Sequence, residues 1–222
     1  MKKFVSNLIQ TAKVIVTNRA QKCENLNVHV NITTTWALAI GKELKLSKKD
    51  MKILAVAANL HDMGKAFVWD TIISPKDLDA KMRADVDTHS TIGAFMAFAK
   101  AIFKCHLTIS EAIAVFKIVF LHHDVVNGTG AHGIKVDDIR VHILTVADII
   151  AAACYTDPTR NYKKKDKEPA TPISLAEDLS HSARYNKVVL EKVAVVSANV
   201  YKKLLRKYNI VDAETEKLIA LI

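Results

Sequence analysis

The residues of this 222-residue chain best suited to chemistry are histidines and aspartates at wide intervals: His29, the adjacent pair His61-Asp62, His89, the adjacent pair His122-His123, and Asp148. Each alone says little, because a single inward histidine is ordinarily a hydrogen-bonded core residue and an isolated His-Asp dipeptide is common. Their joint phase says more. Ile109, Ile113, Phe116 and Phe120 recur at helical spacing, and His123 continues that step toward the core. His89 shares a face with Ile92, Met96, Ala99 and Phe103, and Asp148 shares one with Val141, Leu144 and Ala151. A carboxylate on an apolar stripe is costly to bury unless it is paired or binds a metal. Several such residues on inward faces predict one shared buried site.

Imidazole with carboxylate suits iron, manganese or zinc. In His61-Asp62 the imidazole can take one ion while the two carboxylate oxygens bridge a pair. Two ions roughly 3.5–4 Å apart can hold a bridging hydroxide and clamp the attacked and leaving oxygens of an in-line displacement at phosphorus. Lys65, one turn on, is placed to neutralise phosphate charge.

Helices must position these groups. Helical periodicity predicts elements over about 3–20, 27–44, 48–62, 89–104, 109–123 and 136–154, a short helix from Ser174, a long one over about 185–206, and a last short one. Ser47-Lys48-Lys49-Asp50 and Thr108-Ile109-Ser110-Glu111 read as capping boxes. Gly64 suits the position just past a helix end. Residues 66–86 read as irregular around Pro75, and residues 155–173 as a basic loop with three of the four prolines. No period-2 strand is visible. The expected class is all-α, a single domain of about seven to nine helices. It divides into an N-terminal helix (1–24), a metal-binding core (25–195) and C-terminal helices (196–222).

Composition agrees. Half the residues are hydrophobic and a quarter charged, and six glycines and four prolines are few breakers. The net charge of +9 and pI near 9.4 suit a phosphate-bearing ligand and, on charge alone, nucleic acid or a membrane surface equally. The basic clusters from Arg160 to Lys167 and from Lys202 to Lys207 read as a solvated loop and a solvated helix face. Cys23, Cys105 and Cys154 make no disulfide framework, which predicts a reducing, cytoplasmic setting. Asn7, Gln10 and Lys13 interrupt what begins like a signal peptide, and no apolar run is long enough to predict membrane insertion. Gly128-Thr129-Gly130-Ala131-His132-Gly133 satisfies GxGxxG. No strand precedes it, so it is read as a turn using glycine's freedom at positive φ.

His61-Asp62-Met63-Gly64-Lys65 resembles the HDxGK motif of the HD superfamily. With His29 upstream, and His89, His122-His123 and Asp148 downstream, the ordered set is similar to the HD-GYP subfamily of cyclic-di-GMP phosphodiesterases, over about residues 25–195. The resemblance implies an HD-type helical domain holding two divalent transition metals, iron or manganese first, with zinc, nickel or magnesium also admitted. It implies that Asp62 bridges them, that His29, His61 and Asp148 hold one, and that His89, His122 and His123 hold the other. Lys65 would sit at the scissile phosphate as a catalytic group. Arg160 and Lys163 loosely match an Arg-Pro-Tyr-Arg-like stretch that contacts substrate phosphate. The implied reaction is hydrolysis of cyclic-di-GMP to the linear dinucleotide.

The chain departs from the pattern in two places. Where the subfamily reads HHE and then DGxGYP, this sequence has His122-His123-Asp124 and Asn127-Gly128-Thr129-Gly130-Ala131-His132. Asn25 stands where some members carry a glutamate for a third metal, so two metals are expected. The alternatives are an HD phosphohydrolase of another nucleotide or phosphate ester, and a catalytically weak domain that senses a ligand and signals to a partner. A homodimer is compatible with either, and nucleic acid is not the expected ligand.

Overall fold

A computed structural model of the chain describes residues 24–68, 79–155 and 171–208. The helix expected over 3–20, the last short helix, Cys23, Arg160 and Lys163 lie outside the described residues.

Seven α-helices and one 3-10 turn make up the described residues, with no strand among them: α1 (Glu24–Glu43), α2 (Lys48–Leu60), the turn Met63–Phe67, α3 (Ala80–Phe103), α4 (Ile109–Leu121), α5 (Ile139–Cys154), α6 (Pro172–Ser180) and α7 (Lys187–Tyr208). Short polar side chains set the helix starts. Ser47 accepts from the Asp50 N–H, Thr108 and Glu111 form a reciprocal capping box, and Thr171 caps α6 ahead of Pro172. The fold is all-α. No described helix is long and apolar enough to cross a membrane.

The core gathers around Trp36 of α1, with Ile32 and Ile40 on the same helix. Ile53 and Leu54 of α2, Ile118 of α4, Ile143, Leu144 and Ile150 of α5 and Leu204 of α7 complete its large buried side chains. α1 packs on α2, α5 and α7; α4 packs on α2 and α3; α3 also lies against the 3-10 turn. The histidine-bearing segments therefore converge at one end of the core.

Three local expectations are corrected. α3 begins at Ala80, nine residues before the expected 89, with Asp79 accepting from the Met82 N–H. Its first two turns carry Lys81, Asp85, Asp87 and Thr88 into solvent, so no apolar stripe announced them. On α4 the buried stripe is Ala112, Val115, Ile118 and Val119, whereas Ile109 is 67% exposed and Ile113 44%. That helix is apolar almost all round, which leaves its phase ambiguous, and its small residues face inward because α2 and α3 press close.

Gly64 is the third. It does not end α2 but lies inside the 3-10 turn, buried. Its role is close approach: a β-carbon there would run into the His89 carbonyl and the Gly93 amide of α3. On the opposing helix, a Gly93 β-carbon would lie 3.1 Å from the Gly64 nitrogen and 3.2 Å from the His61 carbonyl oxygen. The two glycines let the segment after α2 sit directly on α3. Gly64→Ala is expected to destabilise the protein by at least ~1–3 kcal/mol through backbone displacement, read as a lower thermal midpoint. An unchanged midpoint would show that the contact is not tight.

Candidate metal centre

The seven histidines and aspartates come from five helices or helix ends. His29 lies early in α1, His61 and Asp62 follow α2, His89 is in mid-α3, His122 and His123 follow α4, and Asp148 is in mid-α5. The structure brings all seven together. His61 and His122 are 0% exposed, His89 1% and Asp62 3%.

The imidazoles are oriented by their own helices. His61 Nδ1 lies 2.8 Å from the Ala58 carbonyl, His122 Nδ1 2.6 Å from the Val119 carbonyl, and His89 Nδ1 hydrogen-bonds the Val86 carbonyl. A carbonyl only accepts, so each Nδ1 carries the proton and each Nε2 presents a lone pair. Those Nε2 atoms converge. His89 Nε2 lies 3.4 Å from His122 Nε2 and 3.3 Å from His123 Nε2. The Nε2 atoms of His89 and His122, both without a proton, cannot satisfy each other.

Asp62 stands between two groups. Its Oδ2 is 3.5 Å from His29 Nε2 and 3.4 Å from His61 Nε2, while its Oδ1 is 3.5 Å from His89 Nε2. Asp148 Oδ1 lies 2.8 Å from His29 Nε2 and 3.5 Å from His61 Nε2. Lys65 Nζ donates to Asp62 Oδ2 at 2.6 Å. Two buried polar atoms of the centre have no hydrogen-bond partner: His61 Nε2 and Asp62 Oδ1. Orphaned groups of this kind are rare in native proteins and call for an explanation such as an ion. His29, His61 and Asp62 could hold one metal ion and His89, His122 and His123 another, the donor atoms of each set lying within 4.8 Å of one another. The all-nitrogen and carboxylate donor set fits divalent transition metals.

Electrostatics point the same way. Burial is the main cause that drives His122 well below the ordinary imidazole range, with His123, His61 and His89 adding to it. Burial and then Lys65 take His89 down to about 4. Burial also lowers His29 and His123. Burial opposes ionisation of the carboxylates, yet His61 and Lys65 hold Asp62 well below the usual carboxylate range, and His29 and His61 do so for Asp148. His61 is the exception among the imidazoles. Burial pulls it down, but Asp62 and Asp148 outweigh that and raise it to about 10. Without a cation, the two carboxylates draw a proton onto His61.

The HD domain family matches residues 28–153, more than half of the chain. The chain belongs to the HD domain family. HD domain proteins are in general metal-dependent phosphohydrolases. Among solved structures, the HD fold seen here is similar to that of Bd1817, an HDG"Y"P protein from Bdellovibrio bacteriovorus, with a TM-score of 0.56 and 18% identity. The match covers 88% of this chain and 60% of that one, so this chain spans under two thirds of its length. No curated protein matches the sequence.

Two features of this HD domain were not read from the sequence. A cavity of about 200 Å³ opens beside the centre, and its lining includes His123, Asp148 and Ile149 together with Arg184 and Tyr185 from beyond the family-matched span. Arg184 and Tyr185 belong to no motif, and only the fold brings them to the histidines. The second feature is Asp124, 0% exposed, bonded to His132. The basic cluster on α7 lines a separate groove with Asn199, Lys202, Lys203 and Lys207 and shares no residue with the centre.

The imidazole shifts set a pH dependence for chelator-stripped protein. His89 and His122 have folded values below the ordinary 6.5, so the unfolded chain takes up protons first as pH falls through 6.5. Their contribution to stability is present above 6.5 and is lost below it, by up to ~1.4 kcal/mol per imidazole per pH unit. The raised His61 acts in the opposite sense: its contribution is full below 6.5 and declines from 6.5 toward about 10, so it offsets the losses of His89 and His122 only between pH 7.5 and 6.5, and those two imidazoles outweigh it by pH 5.5. The urea midpoint is therefore expected to fall between pH 7.5 and 5.5. An equal or higher midpoint at pH 5.5 would contradict neutral, buried His89 and His122.

Proposed function

We propose that this chain is a dimetal phosphodiesterase that hydrolyses a cyclic dinucleotide, cyclic-di-GMP first, to the linear dinucleotide. One observation carries the dimetal part of the reading. Two buried donor sets share Asp62, whose two oxygens face opposite sets, and unpartnered lone pairs converge between them. The cyclic dinucleotide part is supported by the ordered likeness of the motif set to HD-GYP sequences.

In this reading His29, His61 and Asp148 hold one metal, His89, His122 and His123 hold the other, and Asp62 spans both. The HD-GYP likeness favours iron or manganese, and the donor set admits either, as it does zinc or nickel. Such a pair supplies Lewis acidity toward phosphoryl oxygens and a water made nucleophilic near neutral pH. The chain's own residues do the rest. The Nδ1 tethers to Ala58, Val86 and Val119 keep the Nε2 lone pairs aimed at the ions. Lys65, 2.6 Å from Asp62 Oδ2, orients that carboxylate and places a positive charge where a phosphoryl group would dock. The Arg184 guanidinium lies 5.8 Å from the Tyr185 ring on the cavity wall. It is suited to bind a phosphate oxygen, and Tyr185 to pack against a sugar or base.

A second reading, hydrolysis of a smaller nucleotide or another phosphate ester, is favoured by the cavity volume of about 200 Å³. Typical ligand pockets run ~300–1,000 Å³. The same experiment separates the two. Protein loaded anaerobically with iron or manganese is incubated with cyclic-di-GMP and with a panel of mononucleotides. Formation of the linear dinucleotide is expected, and Arg184→Ala should raise KM about tenfold with kcat little changed, a loss of ~1.4 kcal/mol in binding. Turnover of mononucleotides with silence on cyclic dinucleotides would favour the second reading. Tight binding without any turnover would indicate a ligand-sensing domain.

A further inference from the structure

Asp124 is a carboxylate at 0% exposure that neither donor set uses, and its partners form a connected chain of bonds. Its Oδ1 accepts the backbone N–H groups of His132 at 3.0 Å and Ile134 at 3.3 Å. Its Oδ2 accepts from His132 Nδ1 at 2.6 Å. The other nitrogen of the same ring, Nε2, lies 3.3 Å from Ser90 Oγ; that hydroxyl's one proton goes to the Asp87 carbonyl at 2.8 Å, so its oxygen can only accept from the ring. The His132 ring lies against Phe120, with centroids 4.1 Å apart. The Ala131 N–H donates to the His123 carbonyl at 3.2 Å, and a β-carbon on Gly130 would collide with the backbone of His123 and Asp124. The loop after α4 is thus folded onto that helix end and bolted to α3.

Each end of this connection adjoins a donor of one metal set. Asp124 follows His123, and Ser90 follows His89. Among the described residues, its hydrogen bonds reach none of His29, His61 and Asp148. Ser90, His132 and Asp124 occur in the order of a nucleophilic relay. Ser90, however, is 0% exposed and gives its hydroxyl to a carbonyl, so it presents nothing to a substrate.

We propose that Asp124 and His132 are positioning residues for the His89–His122–His123 set, fixing α4's end against α3 before an ion arrives. They thereby set the affinity of that set and not of the other. In this chain Asp124 and His132 stand where the resembled subfamily has glutamate and the last residue of its name-giving triplet, so a new pair performs the locking. This inference rests on the dimetal reading above.

The test is a calorimetric titration of chelator-stripped full-length chain with manganese(II), with bound metal counted per chain. Wild type is expected to take two ions. His132→Ala is expected to weaken one of them by about 10–100-fold, the range for lost outer-sphere partners, and to leave the other unchanged. Adding His29→Ala should then remove the ion that survived. His132→Asn, whose amide can still donate to Asp124, should recover most of the loss. If His132→Ala lowers helical content, Ser90→Ala, which deletes one hydroxyl, is read instead for a smaller loss in the same site. Both ions held at wild-type affinity, or both weakened equally, would overturn the proposal while leaving the dimetal reading intact. No manganese bound to wild type would bring down the dimetal reading and this proposal with it.

Discussion

Five imidazoles and two carboxylates meet at a buried point where only some of them can satisfy one another, and the rest of the site follows from that constraint. His61, His89 and His122 each donate Nδ1–H to a carbonyl of their own helix, and the Nε2 atoms of His89 and His122, both left without a proton, lie 3.4 Å apart. The carboxylates are held ionised by neighbouring positive charge despite burial. A proton on His61 answers part of this demand for a cation. It cannot answer the His89, His122 and His123 cluster, where burial keeps the rings neutral. Divalent ions would satisfy both halves at once, and the membership in the HD domain family, whose members are in general metal-dependent phosphohydrolases, agrees with that chemistry.

Bringing these groups to one point takes most of the fold. His61-Asp62 and His122-His123 sit where α2 and α4 end, so they can turn inward without breaking a helix. The glycines at 64 and 93 allow the first of these ends to touch the α3 backbone beside His89. Thr145 of α5 donates to the His122 carbonyl at 2.8 Å, tying the second end to the helix that carries Asp148. The apolar core beneath, from Trp36 through Ile143 to Leu204, fixes the helices whose ends are used.

Much of this was legible in the sequence, for identifiable reasons. Helix starts at Lys48 and Ile109 were readable because capping chemistry is local. The convergence of the ordered histidines and aspartates was readable because polar residues on several inward faces must meet in one buried place. What was not legible depends on tertiary contact. The first turns of α3 are solvated and carry no stripe. The face of α4 differs from the expected one because Ile109 and Ile113 are apolar yet outward, while Ala112, Val115 and Val119 fit the tight interface. Gly64 looked like a helix terminator and is instead a close contact. Arg184 carries no motif, and the Ser90–His132 contact spans 42 residues, so both appear only once the chain has folded.

The most direct test of the account is elemental analysis of wild-type protein and Asp62→Ala, each purified without chelator, with transition metal counted per chain. The account predicts about two ions in wild type and a loss of both from Asp62→Ala, because that carboxylate spans the two donor sets. No metal in wild type after anaerobic loading with iron or manganese, or an unchanged metal content in Asp62→Ala, would contradict it.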